Sequence, residues 1–226
     1  MASFNTLDDL GDITGKVALV RVDLNLPMKD GSATDVTRVE SVKPTILELA
    51  DKGAKVLLLA HFGRPKGQRH STMSTSFVQG DVEKVLDKEI MFIPEVMGPV
   101  VEQSIGILGN GDIGLLDNVR FWPGEEANDP DFAKGIAAHG DLYVNDAFSA
   151  AHRAHASTEG LAHHLPAYAG RAMEAELKAL DAALGNPEAP VAAVVGGAKV
   201  STKLDVLHNL VGKVQHLIIG GGMANT

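Results

Sequence analysis

The sequence predicts an α/β fold in which a mostly parallel sheet is covered by helices on both faces. Short apolar runs alternate with longer amphipathic segments along most of the 226 residues. Polar segments, several of them containing arginine, follow most of the apolar runs. Alternation of strand-length and helix-length patterns is typical of repeated βαβ units, in which the strands pair in parallel and the helices flank them.

Five apolar runs are predicted strands, and most are followed by a segment with helical periodicity. The strands are VALVRV (17–22), VLLLA (56–60), IMFIP (90–94), GLLDNV (114–119) and LYVNDAF (142–148), and the helices cover 37–51, 76–87, 99–108 and a segment around 129–139. This order predicts a three-layer, Rossmann-like first domain over residues 1–168.

A connecting helix and the start of a second unit follow this domain. Residues 169–184 are rich in strong helix formers, and Gly185 with two nearby prolines marks their end. The next elements are the strand VAAVV (191–195), a glycine turn, a helix from about Ser201 to Leu210 and the strand HLIIG (216–220). Two strands and one helix do not make an independent domain, so residues 185–226 are predicted to be an incomplete second α/β domain.

Composition and charge exclude several classes of protein. The chain is 45% hydrophobic and 22% charged, has a formal net charge of −9 and contains no cysteine. The negative charge argues against a nucleic-acid binder or a basic membrane-surface protein, and the lack of cysteine excludes disulfides and thiolate metal sites. The acidic N-terminus lacks signal-peptide features, and no apolar run approaches the ~18 residues of a membrane span, so we expect a cytoplasmic protein.

Arginines at the predicted strand ends indicate an anion site. The polar segments are RVDLNLP (21–27), HFGRPKG (61–67), DNVRFWPGEE (117–126) and NDAFSAAHRAHAST (145–158), and the arginines at or near this edge are Arg21, Arg38, Arg64, Arg120 and Arg153. Ligands of open α/β sheets bind at the carboxyl edge, where guanidinium groups hold phosphate or carboxylate through paired hydrogen bonds. Each arginine alone is more simply a surface residue, but several at one edge favour a focused site.

Other polar residues at this edge allow two interpretations. Asp23 and Asn25 point to one side of an extended segment, and either bind a substrate hydroxyl or cap the loop. The histidines at 61, 152 and 155 lack the ligand spacing of a zinc site, and a phosphate site would use a histidine equally well as a donor. The carboxylates of Asp117, Glu125, Glu126 and Asp129 are interpreted as a solvated loop and helix start rather than as paired catalytic groups.

Two glycine-rich turns in the second unit favour a phosphate or nucleotide site. GGAKVSTK (196–203) follows a strand and opens a helix, so backbone N–H groups together with Lys199 and Lys203 on one helical face would cradle phosphate. The segment has neither P-loop nor dinucleotide spacing, and a tight turn with solvated lysines is the alternative. GGGMANT, after the next strand, would let a flat ligand approach the backbone.

Taken in order, these segments resemble the signature of the phosphoglycerate kinases. The resemblance rests on RVDLNLP, HFGRPKG, NVRFWPGEE, NDAFSAAHRAHAS, GGAKVSTK and GGGMANT, and spans almost the whole chain. It implies reversible phosphoryl transfer between 1,3-bisphosphoglycerate and ADP, giving 3-phosphoglycerate and ATP with Mg²⁺ in glycolysis or gluconeogenesis. It further implies a monomer, and the net charge of −9 argues against a nucleic-acid or membrane partner.

The resemblance also implies residue roles. Residues 1–168 would bind phosphoglycerate, 169–184 would join the domains and take part in their closure, and 185–226 would begin the nucleotide-binding domain. The substrate-binding positions would be Asp23, Leu24, Asn25, Arg38, His61, Phe62, Gly63, Arg64, Arg120 and Arg153. The nucleotide-binding positions would be Gly197, Lys199, Lys203, Gly220, Gly221 and Gly222, with Arg38, Lys199 and Lys203 as the catalytic ones. The magnesium ligand is expected in a C-terminal half that this sequence does not contain.

Departures from the family pattern are few. Phe62 stands where leucine is common, and Ser149 stands where glycine is common after NDAF. Family members are much longer, so we expect this chain to bind phosphoglycerate without turnover by itself. The alternatives are a non-catalytic module that senses a phosphorylated metabolite and another nucleotide-binding enzyme such as a dehydrogenase, although no dinucleotide fingerprint follows the first strand.

Overall fold

The computed structural model describes residues 4–185, 187–197, 201 and 203–225. The described residues form two compact units, one extending to Ala175 and the other beginning at Glu176. No helix in this part of the chain is both long and apolar enough to cross a membrane.

The larger unit is built on a parallel sheet. Its strands are β1 (Val17–Arg21), β2 (Met28–Lys29), β3 (Ser32–Ala33), β4 (Lys55–Leu59), β5 (Ile90–Ile93), β6 (Ile113–Leu116), β7 (Leu142–Asn145) and β8 (Ala167–Ala169). Six of them form one sheet in the order β5-β6-β4-β1-β7-β8, and every pair is parallel. The remaining two, β2 and β3, form an antiparallel hairpin. The predicted parallel α/β fold is confirmed; the hairpin and β8 were missed because such short strands leave no periodic pattern.

Helices cover both faces of the sheet. They are α1 (Thr37–Asp51), α2 (Ser76–Leu86), α3 (Pro99–Ile107), α4 (Pro123–Glu126) and α5 (Pro130–Ala137). A further helix, α6 (Arg171–Leu184), follows β8 in the chain. Along β1, Val20 joins the core cluster that contains Ile46 of α1, whereas Leu19 joins the cluster that contains Ile136 of α5. All residues of β1 are buried, which explains why its first four residues, 17–20, read as a continuous apolar run.

The connecting helix begins at Arg171 rather than at Ala169. Ala169 instead ends β8, where it pairs with Asn145 of β7, and it makes a bridge to Thr6. This pairing satisfies the backbone of Ala169 in the sheet and outweighs the high helix propensity of alanine. The break between the two compact units falls inside α6. The predicted domain limits and the joining role of this helix stay predictions.

The smaller unit contains two parallel strands and one helix. These are β9 (Ala192–Gly196), α7 (Leu204–Val211) and β10 (His216–Gly220). Val195, Leu207 and Met223 form its buried core. The elements confirm the prediction of a partial second α/β domain. The helix starts at Leu204 rather than near Ser201, because Lys203 has a non-helical backbone conformation.

Candidate functional site

Loops that follow three adjacent strands meet at the carboxyl edge of the large sheet. The strands β4, β1 and β7 are neighbours, and their hydrogen bonding continues into the loops. Val22 N donates to Leu59 O at 3.0 Å, and Asp146 N donates to Arg21 O at 2.8 Å. This continuation brings the polar segments after the strands together, as parallel pairing requires.

Asp23 joins three of these segments through its carboxylate. Its Oδ2 accepts hydrogen bonds from Arg38 Nη1 at 2.8 Å and from Ser149 Oγ at 2.5 Å, and its Oδ1 accepts one from Asn25 N at 3.0 Å. Burial opposes ionisation, but the hydrogen bonds from Ser149 and Asn25 and the charge of Arg38 outweigh it and hold the pKa of Asp23 below its usual value. The ionised carboxylate therefore orients Arg38, whose side chain remains 49% exposed.

Asn25 connects the loop after β1 to the loop after β4. Its carbonyl oxygen accepts from Arg38 Nη1 at 3.2 Å, and its side-chain Oδ1 accepts from Gly63 N at 2.9 Å. The loop-capping contact considered for this residue is therefore present. Leu24 lies fully buried in the core and Phe62 packs against the core, so their side chains support the loops from below.

Arg21 positions His61. The Arg21 side chain is buried and donates to Ser157 Oγ at 2.9 Å, to Val22 O, and to His61 Nδ1 at 2.9 Å. Because a guanidinium only donates, His61 Nδ1 accepts and the ring proton lies on Nε2. Burial, and then the charges of Arg21 and Arg120, lower the pKa of His61 to about 3. His61 is thus a neutral N–H donor, and the expectation that Arg21 binds an anion itself is wrong because its donors are engaged inside the protein.

A basic pocket of about 420 Å³ opens at this edge of the sheet. It is lined by Arg64, Lys66, Arg120, Glu126, Arg153 and His155. Three arginines and a lysine thus face a single carboxylate, which concentrates positive charge in an otherwise acidic chain. Lys66 was not singled out from the sequence, although it lies in the same HFGRPKG segment as Arg64.

Arg120 is the most restrained cation of this pocket. Its Nη1 donates to Gly63 O at 3.2 Å, and its Nε lies 3.5 Å from Glu126 Oε1 without a hydrogen bond. Asn118 holds the segment, because its Oδ1 accepts from Arg120 N at 3.0 Å and its Nδ2 donates to Phe62 O at 2.6 Å. Burial lowers the pKa of Arg120, but a guanidinium remains charged in proteins. The result is a fixed cation that needs no rearrangement to meet an anion.

The acidic residues near the pocket serve structural roles that differ from the prediction. Glu125 is buried and accepts from Ser157 Oγ at 2.6 Å and from Ser157 N at 2.9 Å. Asp117 is also buried and accepts from Asn118 N at 2.8 Å. The solvated interpretation is wrong for both, because these donors compensate the burial of the carboxylates. Asp129 does begin a helix, since it caps the first turn of α5.

The histidines do not assemble a metal site. His152 is exposed, whereas His155 lines the basic pocket. Burial lowers the pKa of His155 against the opposing charge of Glu125. Among the described residues, no group of three or more His, Asp or Glu side chains is arranged to hold a metal ion.

In the smaller unit the two glycine turns lie side by side. Gly196 at the end of β9 pairs in register with Gly220 at the end of β10. Met223 N donates to Gly197 O at 3.0 Å. Gly221 has φ +66°, and a Cβ there would lie 3.3 Å from Gly197 O. The close approach of the two turns therefore requires glycine at this position.

Lys203 belongs to the same pair of turns. Its Nζ donates to Gly196 O at 2.8 Å, which places the ammonium beside the glycine backbone. Lys203 precedes α7, so the predicted pairing with Lys199 on one helical face is wrong for this residue. Lys199 lies outside the described residues. Gly222 follows in the short 3-10 helix Gly221–Asn225 and is exposed.

The family model for phosphoglycerate kinase matches residues 7–226. The chain belongs to the phosphoglycerate kinase family. It is 69% identical over 226 residues to the phosphoglycerate kinase of Sphingopyxis alaskensis, covering all of this chain and 57% of the relative. The phosphoglycerate kinase of Rhizobium johnstonii is 64% identical, with all of this chain and 56% of the relative covered.

Solved structures of phosphoglycerate kinases share the fold. The enzyme from Coxiella burnetii superposes with a TM-score of 0.87 at 39% identity, over 99% of this chain and 56% of that one. The enzyme from Pyrococcus horikoshii OT3 gives 0.85 at 32% identity, over 98% of this chain and 56% of that one. The chain therefore spans little more than half the length of these relatives.

Most of the predicted substrate-binding residues of the chain come together in the larger unit. Direct hydrogen bonds connect Asp23, Asn25, Arg38, Gly63 and Arg120, and Arg64 and Arg153 line the basic pocket. Gly197, Lys203 and the 220–222 turn assemble within the smaller unit. Ser149 donates to Asp23 and Ser157 donates to Glu125. The sequence marked Ser149 only as a departure from glycine, and Ser157 had no signal beyond its place in the segment 145–158.

Proposed function

We propose that this chain provides the phosphoglycerate-binding part of a phosphoglycerate kinase. The reaction is reversible phosphoryl transfer between 1,3-bisphosphoglycerate and ADP, giving 3-phosphoglycerate and ATP. The observation that carries the proposal is the basic pocket beside the hydrogen-bonded set Asp23, Asn25 and Arg38. Family membership supports it. Because the chain covers 57% of a typical relative, we assign the complete reaction to a full-length protein and expect this chain alone to bind without turnover.

The pocket suits a small ligand that carries two anionic groups. Its volume of about 420 Å³ falls in the range of small-molecule sites. Arg64, Arg120 and Arg153 would hold the phosphate and carboxylate through paired, charge-assisted hydrogen bonds. His61 would add a neutral donor through Nε2, which keeps its proton because Arg21 occupies Nδ1. Binding would therefore require little change in the protonation of the site near neutral pH.

Asp23, Asn25 and Arg38 would recognise the glycerate portion and the group in transfer. The ionised Asp23 is an acceptor for a ligand hydroxyl. Arg38 is half exposed and anchored through one nitrogen, Nη1, so its other N–H groups can face a phosphoryl oxygen. Phosphoryl transfer depends mainly on alignment and on neutralising the oxygens that carry negative charge. Arg38 would supply that charge without a covalent step.

The nucleotide would bind in the smaller unit. Gly197 and the 220–222 turn offer backbone at close approach, and Lys203, together with Lys199, would meet the phosphates. Magnesium would accompany the nucleotide and neutralise phosphate charge. The described residues contain no cluster of His, Asp or Glu that could hold a metal, so we derive no step through magnesium.

Helix α6 would join the two domains and take part in their closure, which excludes water from a reactive acyl phosphate. We further propose a monomeric, cytoplasmic enzyme. The net charge of −9 supports the absence of nucleic-acid and anionic-membrane partners.

Calorimetric titration with 3-phosphoglycerate tests the proposal. The chain should show saturable binding, and Arg38→Ala should weaken it by at least about tenfold, as expected for loss of a charge-assisted contact. Lys84→Ala is the matched control, since it removes an exposed positive charge from α2, outside the pocket. A folded chain that binds no 3-phosphoglycerate would contradict the site assignment. Equal affinity of Arg38→Ala and the parent would remove Arg38 from the site.

A further inference from the structure

The loop after β7 brings a serine hydroxyl to the Asp23 carboxylate. Ser149 lies in the short 3-10 helix Phe148–Ala150, which is fixed by the buried residues Ala147 and Ala150. Its Oγ donates to Asp23 Oδ2 at 2.5 Å, between residues 126 positions apart in the sequence. The family resemblance leads us to expect glycine at this position, and glycine has no side-chain donor.

This hydroxyl completes the donor set around Asp23. Oδ2 accepts from Ser149 and from Arg38, and Oδ1 accepts from Asn25 N. A carboxylate has about four acceptor positions, so the protein fills all but one, and the vacant one is on Oδ1. With both oxygens held by donors from different segments, the carboxylate is not free to turn.

Ser149 differs from the other donor to Oδ2 in what it does when a ligand binds. Arg38 is half exposed and carries the charge that would meet the phosphoryl group, so a bound anion competes with Asp23 for it. The Ser149 hydroxyl carries no charge, so a bound anion attracts it less strongly than it attracts the Arg38 guanidinium. It therefore holds Oδ2 in place while Arg38 adjusts.

We propose that Ser149 is a positioning residue that sharpens the recognition by Asp23 of the hydroxyl group of a hydroxy-acid phosphate such as 3-phosphoglycerate. The proposal rests on the proposed function of the site. A buried acceptor held in one orientation discriminates against an analogue without the hydroxyl, because that analogue leaves the acceptor unpaired. The contribution of Ser149 is therefore to selectivity, whereas the arginines of the pocket provide the affinity for anions.

The test compares two ligands by calorimetry. They are 3-phosphoglycerate and 3-phosphonooxypropanoate, which lacks only the 2-hydroxyl. Ser149→Ala and Ser149→Gly should reduce the ratio of the two affinities by roughly 3- to 10-fold, the effect of one hydrogen bond. Ser149→Thr keeps the hydroxyl and should retain the ratio. The affinity for inorganic phosphate should be the same in all four proteins, which a general loosening of the site would not allow.

Ser104→Ala is the matched control. It removes a serine hydroxyl from α3, where the group donates to Val100 O, and should leave the ratio unchanged. An unchanged or increased ratio in Ser149→Ala, with binding intact, would overturn the role of Ser149 alone. Absence of 3-phosphoglycerate binding in the parent chain would instead overturn the proposed function, and hydroxyl recognition with it.

A second measurement does not depend on the ligand. Carboxyl-carbon NMR titration of the free protein should give a higher pKa for Asp23 in Ser149→Ala than in the parent, because the serine hydroxyl is one of the donors that favour the ionised form. An identical pKa in the two proteins would show that the hydroxyl does not hold the carboxylate, and would overturn the proposal.

Discussion

Replacement of His61 by glutamine should remove a strong pH-dependence of stability from the larger unit. Burial and the charges of Arg21 and Arg120 lower the pKa of His61 to about 3, from an ordinary value of 6.5. Between these values the unfolded chain binds a proton that the folded chain does not, so the free energy of unfolding falls as the pH falls from 6.5 towards 3. At pH 5.0, about 1.5 units below the unfolded value, the loss amounts to about 2 kcal/mol.

His61→Gln keeps a group that can accept from Arg21 but does not titrate. Urea unfolding of both proteins at pH 5.0 and pH 8.0, followed by tryptophan fluorescence, measures the effect. Trp122 is the only tryptophan of the chain and lies in the larger unit, so its signal reports that unit. The pH 8.0 measurement separates the packing cost of the substitution from the titration. The parent should lose about 2 kcal/mol more than the variant between the two conditions.

His139→Gln provides a comparison at a histidine that is less buried than His61. Burial also lowers the pKa of His139, but this residue is only half-buried, so its removal should change the pH-dependence less than His61→Gln does. Equal pH-dependence in His61→Gln and the parent would refute the argument that burial and neighbouring arginines keep His61 neutral. It would also remove the basis for treating His61 as a neutral donor to phosphate.

Two further predictions concern the start of α6. Gly170→Ala would place a Cβ 2.3 Å from Asp146 Cγ, inside the buried region, and should lower the free energy of unfolding by about 1–3 kcal/mol. Gly80→Ala is the comparison, because Gly80 lies in the exposed middle of α2 and an added Cβ there would meet no atom within 4 Å. This substitution should raise the free energy of unfolding by about 0.5–1 kcal/mol. If both alanines behave alike in urea unfolding, the steric argument fails. Arg171→Met should cost about 1 kcal/mol at low salt by removing ion pairs such as that to Glu48 at 2.8 Å, and the cost should shrink in 1 M NaCl. A loss of stability that does not change with salt would show that Arg171 contributes through packing rather than through charge.

The local sequence pattern was sufficient to predict the fold and the general position of the candidate site. The run at 17–20 reads as a continuous apolar segment because β1 is buried on both faces in the middle of a parallel sheet. Parallel strands end at one edge, so residues such as Arg64, Arg120 and Arg153, which follow different strands, had to lie at that edge. Both inferences need only periodicity and the geometry of parallel pairing.

The individual contacts of the site depended on tertiary structure. Arg21 ends β1 and Arg120 follows β6 at the same edge of the sheet. Arg21 is nevertheless hydrogen-bonded to Ser157 and His61, while Arg120 lines the pocket. Glu125 reads as a solvated residue until Ser157, which is 32 positions away, meets it in the interior.

The sequence by itself therefore determined the α/β class, the carboxyl-edge site and the family to which the chain belongs, because each follows from local periodicity or from short ordered motifs. Only the tertiary structure decided that Ala169 extends the sheet, that His61 is a neutral donor and that Ser149 holds Asp23. The physical reason is that burial and hydrogen bonding between distant segments set the conformation and charge of a side chain, and neither is encoded in its immediate neighbours.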